Sequence, residues 1–186
     1  MSLPEVPAGV RLLGITGAPG VGKSWAAAAL GLPVVPMDGF HYADVELVRR
    51  GLRDRKGAPE TFDAEGYAAL LRRVRAGEAD VVAPMFERDL EQPLAGAIAV
   101  PATGTVVTEG NYLLLDQPRW HAVRRELDVV WHLHVDDAVR RERLVARHIE
   151  FGKTPDEARA WVARVDDANA ALVEAARERA DLVISL

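Results

Sequence analysis

Gly17-Ala18-Pro19-Gly20-Val21-Gly22-Lys23-Ser24 decides how the chain reads. Every fixed position of the phosphate-cradling pattern G-x-x-x-x-G-K-[ST] is filled, and Lys23 is one of only three lysines in 186 residues. The flanks carry the same message. Val10 to Ile15 is an apolar run that reads as a buried strand, and Lys23 to Leu30 is alanine-rich and reads as a helix. A strand ending in a glycine turn points backbone N–H groups into a concave nest, and the positive end of the next helix adds to its attraction for anions. In that arrangement Lys23 reaches the β- and γ-phosphates of a nucleoside triphosphate, and the Ser24 hydroxyl ligates Mg²⁺.

The rest of the composition bounds the answer. With 49% hydrophobic and 27% charged residues the chain is ordinary for a soluble globule, and 186 residues suffice for one domain. No apolar run approaches the roughly 20 residues that span a bilayer, and the opening Met1-Ser2-Leu3-Pro4-Glu5 lacks the basic region and apolar core of an export signal. With no cysteine there is no disulfide and no thiolate metal site, which suits a cytoplasmic protein. A net charge of −5 argues against nucleic acid as the main partner. Positive charge is still clustered, at Arg49 to Lys56, Arg72 to Arg75 and Arg140 to Arg147. Such patches in an acidic protein suit a small phosphorylated ligand, and solvated helix faces account for most of these arginines.

Strand-like and helix-like segments alternate, which predicts an α/β fold with a mainly parallel sheet. After the first strand and helix, Pro33 to Pro36 reads as a short strand and Ala64 to Ala76 as a strong helix. Asp80 to Phe86 and the shorter Ala97 to Val100 read as strands that pair in a hairpin over the site. Thr105 to Thr108 and Val129 to Val135 are strands, Gln117 to Leu127 and Asp137 to Phe151 helices. Thr154 caps a further helix, with Pro155 at its first position and Glu157 completing a capping box. The last helix ends near Arg179, and Leu182 to Ser185 closes the sheet.

Phosphoryl transfer asks a protein for positioning and charge stabilisation. Asp38 directly follows the second strand, and ligands of open parallel sheets bind beyond the carboxyl ends of the strands. It would take the acceptor hydroxyl's proton or hold a magnesium-bound water; a plain Asp-Gly turn is the competing reading. Glu109 closes the run Val106-Val107-Thr108, where a nucleotide enzyme needs a carboxylate to orient the metal, or is a surface acid at a strand end. His132 and His134 face one side of a strand without an evident third ligand, so packing roles are preferred. Asp63-Ala64-Glu65-Gly66 has a GTPase-like D-x-x-G spacing but opens a helix, and no Asn-Lys-x-Asp guanine reader exists.

Taken in order, several segments resemble the phosphoribulokinase/uridine kinase/pantothenate kinase family of P-loop kinases, and within it the small nucleoside or sugar kinase-like members. They are Gly17 to Ser24, Met37-Asp38-Gly39-Phe40-His41, Arg55 to Asp63, Pro84-Met85-Phe86, Thr108-Glu109-Gly110-Asn111, Arg143 to Arg147, and Asn169 through Ile184. The resemblance implies a P-loop NTPase three-layer sandwich with a five-stranded, mainly parallel sheet of order 2-3-1-4-5 and a helical lid. It divides the single domain, 1–186, into a core of about 8–135 and 180–186, an acceptor region of about 38–102 and a lid of about 137–165. It implies ATP and Mg²⁺ and a small-molecule acceptor; run length and net charge already speak against membrane and nucleic acid, and a homodimer is open.

By the same resemblance Asp38 carries the base role and His41 sits beside the acceptor. Ser24 and Glu109 serve the metal, and Arg143 and Arg147 close over the phosphates from the lid. Asn169 falls where pantothenate kinases bind substrate, with a helix cap or inter-helix contact as the alternative. Two positions depart from the family. Arg88 stands where pantothenate kinases carry a histidine, and Glu87 where uridine kinases carry an aspartate. Arg88 would grip an anionic acceptor such as a sugar phosphate or carboxylate, or is a surface charge.

Overall fold

The computed structural model describes residues 3–186; Met1 and Ser2, part of the opening segment read above, lie outside the described residues. β1 (Leu12–Gly17) leads into α1 (Lys23–Ala29) and β2 (Val34–Pro36), followed by α2 (Asp44–Arg50) and α3 (Ala64–Arg75). β3 (Val81–Glu87) and β4 (Gln92–Val100) come next, then β5 (Val106–Glu109), α4 (Pro118–Glu126) and β6 (Val129–His134). α5 (Asp137–Glu150), α6 (Pro155–Trp161), α7 (Asp167–Ala175) and β7 (Leu182–Ser185) complete the chain.

Every residue of β1 is buried, because the strand lies in the middle of a sheet covered on both faces; hence its continuous apolar run. It pairs in parallel with β5 and with β6, β2 adds to β5, and β7 adds to β6. The order is β2-β5-β1-β6-β7, all parallel, which is the expected 2-3-1-4-5 when only the strands of this sheet are numbered. β3 and β4 form a separate antiparallel pair, as the hairpin reading anticipated, with a register irregularity between Ala83 and Met85. β4 runs five residues further back than the predicted Ala97 start.

Alternate residues of β1 serve different layers. Leu12 belongs with Tyr67, Leu71, Trp120, Val123 and Val173 from α3, α4 and α7. Leu13 and Ile15 pack with Val21, Ala26 and Ala27 of the loop and α1, and with Trp131 and Leu133 of β6. Tyr67 anchors the first layer to the sheet through a hydrogen bond between its hydroxyl and Thr108, whose own hydroxyl donates to the Val35 carbonyl at 2.6 Å.

Asp63 caps α3 by accepting from the Gly66 N–H at 3.0 Å, so the D-x-x-G spacing is a helix start. The capping box of α6 forms as read, with both Thr154 and Glu157 making their reciprocal bonds. One feature was absent from the sequence reading. A five-residue π-helical turn, Val162–Asp166, joins α6 to α7, and such bulges re-aim the residues beyond them. α7 also stops at Ala175, short of the predicted Arg179, and a separate 3₁₀ turn covers Arg177–Arg179.

Candidate active site

The carboxyl end of β1 sets the first wall of the cleft. Gly17 has φ 148° and a Cβ there would lie 2.5 Å from the Leu133 carbonyl oxygen; Gly20 has φ 83° and a Cβ there would meet Leu144 at 2.8 Å and the Arg140 carbonyl at 2.9 Å. Only glycine lets the loop lie this close to β6 and α5. α1 starts at Lys23 with no side chain capping it, leaving its first N–H groups for an anion. The Lys23 ammonium is buried and donates to the carbonyls of Gly17 at 2.9 Å and Ala18 at 3.1 Å. Burial lowers its pKa to about 8, against the opposing pull of Glu109 and Asp38.

Next to it, the Ser24 hydroxyl donates to Glu109 Oε1 at 2.9 Å. Burial, and then the neighbouring Asp38 charge, push the Glu109 carboxyl above the usual carboxylate range, although Lys23 and Ser24 work the other way. A hydroxyl and a carboxylate oxygen side by side at the foot of the phosphate loop are hard oxygen donors of the type Mg²⁺ takes, usually with waters completing the shell. They fit the ion that the phosphate tail would bring. Among the described residues no cluster of three or more His, Cys, Asp or Glu could hold a metal by itself.

Asp38 enters from the end of β2, in a 3₁₀ turn over Met37–Phe40. A Cβ on Gly39 would come 2.4 Å from the Pro84 carbonyl oxygen, so the Asp-Gly pair is held tightly against β3. His41 does not line the cavity beside the loop. Its Nδ1 donates to the Asp38 carbonyl at 2.8 Å, and its ring lies between Phe62 and Phe86 with centroids at 3.9 and 4.8 Å. Burial lowers its pKa, so the ring is neutral at pH 7. His41 thus fixes the turn that carries Asp38.

The cavity above these groups measures about 310 Å³. It brings together Lys23, Ser24, Asp38, Arg88, Glu109, Arg143 and Arg147, together with Pro19, Gly20 and Gly22 of the loop. Arg88, from the turn of the β3–β4 hairpin, approaches the Asp38 carboxylate to 3.8 Å. Arg143 Nη1 lies 3.4 Å from the Val21 carbonyl. Arg147 sits one helical turn further along α5. Burial, and then Arg88, lower its pKa.

Asn169 lies elsewhere. It is buried on α7, and its amide is 3.5 Å from the Gly57 carbonyl, which also accepts from the Tyr112 hydroxyl at 2.6 Å. The paired histidines do not line the cavity either: His132 Nε2 meets Glu174 at 3.1 Å, and His134 approaches the same carboxylate at 3.7 Å.

Three contributors escaped the sequence reading. Asn111 and Trp25 line the cavity, the latter 58% exposed; their signal was nearness in sequence to Glu109 and Ser24. Arg140 carried the opposite signal. Exposed charge is the default for a helical arginine, yet Arg140 is 2% exposed. Its guanidinium binds Asp167 at 2.6 Å and Asp137 at 3.1 Å, and points Nη1 at the Pro19 carbonyl 3.5 Å away. The first half of α5 is therefore packed under the phosphate loop.

No family model matches the chain. Individual relatives do. The uncharacterized protein YggC of Escherichia coli is 36% identical over 179 residues, covering 90% of this chain and 74% of the relative. A Schizosaccharomyces pombe protein named "Putative uridine kinase C227.14" is 33% identical over 192 residues, covering 93% and 82%. The crystal structure of a "putative fructose transport system kinase" from Silicibacter sp. TM1040 superposes with a TM-score of 0.85 at 43% identity, over 98% of this chain and 93% of that one. With the phosphate loop, the sheet order and these relatives in agreement, the chain belongs to the P-loop kinases of the uridine kinase/pantothenate kinase/phosphoribulokinase group.

Proposed function

We propose that the chain is an ATP- and Mg²⁺-dependent kinase that transfers the γ-phosphoryl group to a hydroxyl of a small metabolite: a nucleoside, a sugar or a pantothenate-like acid. One observation carries the reading. The buried loop lysine, the Ser24–Glu109 pair and a second, strand-end carboxylate, Asp38, all line one 310 Å³ cavity. The relatives named for kinases of uridine and of a fructose transport system support it.

In this reading the loop amides and Lys23 hold the β- and γ-phosphates, with the lysine exchanging its two carbonyl contacts for phosphate oxygens. Magnesium, when bound, spreads the charge developing on the phosphates. Ser24 and Glu109 orient it. Asp38 accepts the proton as the acceptor oxygen bonds to phosphorus and the bond from phosphorus to the ADP oxygen breaks. Arg143, beside the loop carbonyl of Val21, screens the equatorial oxygens. The test is Asp38→Asn. General-base loss lowers kcat by ~10²–10⁴-fold, while ATP affinity stays within about threefold. Full phosphotransfer in that variant sinks the assignment. The rival class, an NTPase without an acceptor, is favoured if ATP hydrolysis proceeds and no metabolite panel alters it.

A further inference from the structure

The chain has four tryptophans, and three of them are engaged within the protein. Trp120 and Trp131 are each 1% exposed, one in each core layer. Trp161 has the His148 ring edge-on to its own and the Lys153 ammonium 4.8 Å from its centroid. Trp25 differs. Its side chain is largely exposed, and among the described residues its ring meets no aromatic or cationic partner and its indole N–H no acceptor. Its own helix supplies nothing to cover it, because the residues one turn further on are Ala28 and Ala29.

Scattered exposed apolar residues are ordinary; the position of this one is not. Trp25 is the one aromatic side chain lining the cavity of the phosphate loop. The first backbone bond of α1 runs from the Ala26 N–H to the Gly22 carbonyl at 3.0 Å, so the N–H groups of Lys23, Ser24 and Trp25 are left for phosphate oxygens. In such a loop the backbone amides cradle the α- and β-phosphates, while the lysine serves the β- and γ-phosphates. In the kinase reading the γ-phosphate faces Asp38. The α-phosphate, with the nucleoside attached to it, is then the end away from that carboxylate, where Trp25 carries the last of the free amides. Helical side chains lean back toward the helix start, so the indole covers the turn that holds those amides.

We infer that the Trp25 indole is the platform on which the base of the donor nucleotide stacks. This rests on the kinase reading above and adds the contact that holds the donor beyond its phosphates. An indole meets the face of a base and not its hydrogen-bonding edge, so the attraction follows ring area. Two-ring purines therefore bind better than one-ring pyrimidines.

The test compares ATP with tripolyphosphate, which has the phosphate chain and no base, both with Mg²⁺, by calorimetric titration into the wild type, Trp25→Phe and Trp25→Ala. ATP affinity falls about tenfold in Trp25→Ala and less in Trp25→Phe. Tripolyphosphate binds all three proteins alike, which also shows that the variants fold. The wild type prefers ATP to CTP, and the preference shrinks in Trp25→Ala. Fluorescence gives a second readout: bound ATP shields a tryptophan from acrylamide quenching, tripolyphosphate does not, and the shielding is lost in Trp25→Ala. Unchanged ATP affinity in Trp25→Ala overturns the platform. So does an equal loss of ATP and tripolyphosphate, since Trp25 would then support the loop and not the base. A wild type that binds neither ligand would overturn the nucleotide reading itself, and the platform with it.

Discussion

The two ends of the cleft are built in different ways. At the nucleotide end, eight consecutive residues form the loop, glycines press it against β6 and α5, and its buried lysine donates to two loop carbonyls. At the other end, Asp38 and Arg88 come from two separated segments and approach each other only to 3.8 Å. A contiguous, tightly packed loop gives one geometry that serves any nucleoside triphosphate. A surface drawn from a strand-end turn and a hairpin tip can change at each position without disturbing the other. In the proposed reading the first holds the phosphates, and the second selects and activates the acceptor.

The largest expected effect breaks the rigid end. Lys23→Met removes the charge that tracks the transferring phosphate, and kcat falls by ~10²–10³-fold or more; a loss under tenfold would mean that the loop is not the catalytic end. Arg140→Met comes next. It leaves Asp137 without its 3.1 Å guanidinium partner, and Asp167 with only Arg141, at 3.0 Å. Asp137 is 63% and Asp167 25% exposed, so the loss costs only ~1–2 kcal/mol, read by urea denaturation. A change under about 0.5 kcal/mol would show that α5 does not hold the loop in place.

The pH dependence of ATP affinity sharpens the same contrast. Below pH 8 the Lys23 amine is charged in the free and the bound protein, so affinity is flat. Above its pKa of about 8 the free protein has lost that proton and binding must take it up. Kd for ATP then rises toward ~10-fold per pH unit, with proton uptake visible as a buffer-dependent calorimetric enthalpy. A flat profile to pH 9.5 contradicts a buried, phosphate-seeking lysine. The smallest effect is at the turn between α5 and α6. Thr154→Ala removes the capping box of α6 and costs ~1 kcal/mol of stability, with ATP affinity unchanged.

The same contrast governs what could be read from the chain. The loop, the buried strand before it and the box at Thr154 are local patterns, so their residues announce themselves without tertiary knowledge. Glu109 and Asp38 were readable because strand ends of a parallel sheet converge on one edge. Arg140 was not. Its burial depends on Asp137, Asp167 and the Pro19 carbonyl meeting around it, and exposed charge is the default for a helical arginine. The early start of β4 was missed for another reason: Gln92-Pro93-Leu94-Ala95-Gly96 has low strand propensity, and pairing with β3 overrides it. The π turn at Val162–Asp166 leaves no signature in residue types, yet it sits between Trp161 and the α7 residues Asp167 and Asn169.

The most direct test is a calorimetric titration of ATP with Mg²⁺ into the wild type and into Lys23→Met. Saturable one-to-one binding that weakens at least about tenfold in the variant is the predicted result. Equal affinity in the two proteins, or no binding to the wild type, would contradict a triphosphate seated in the loop from Gly17 to Ser24.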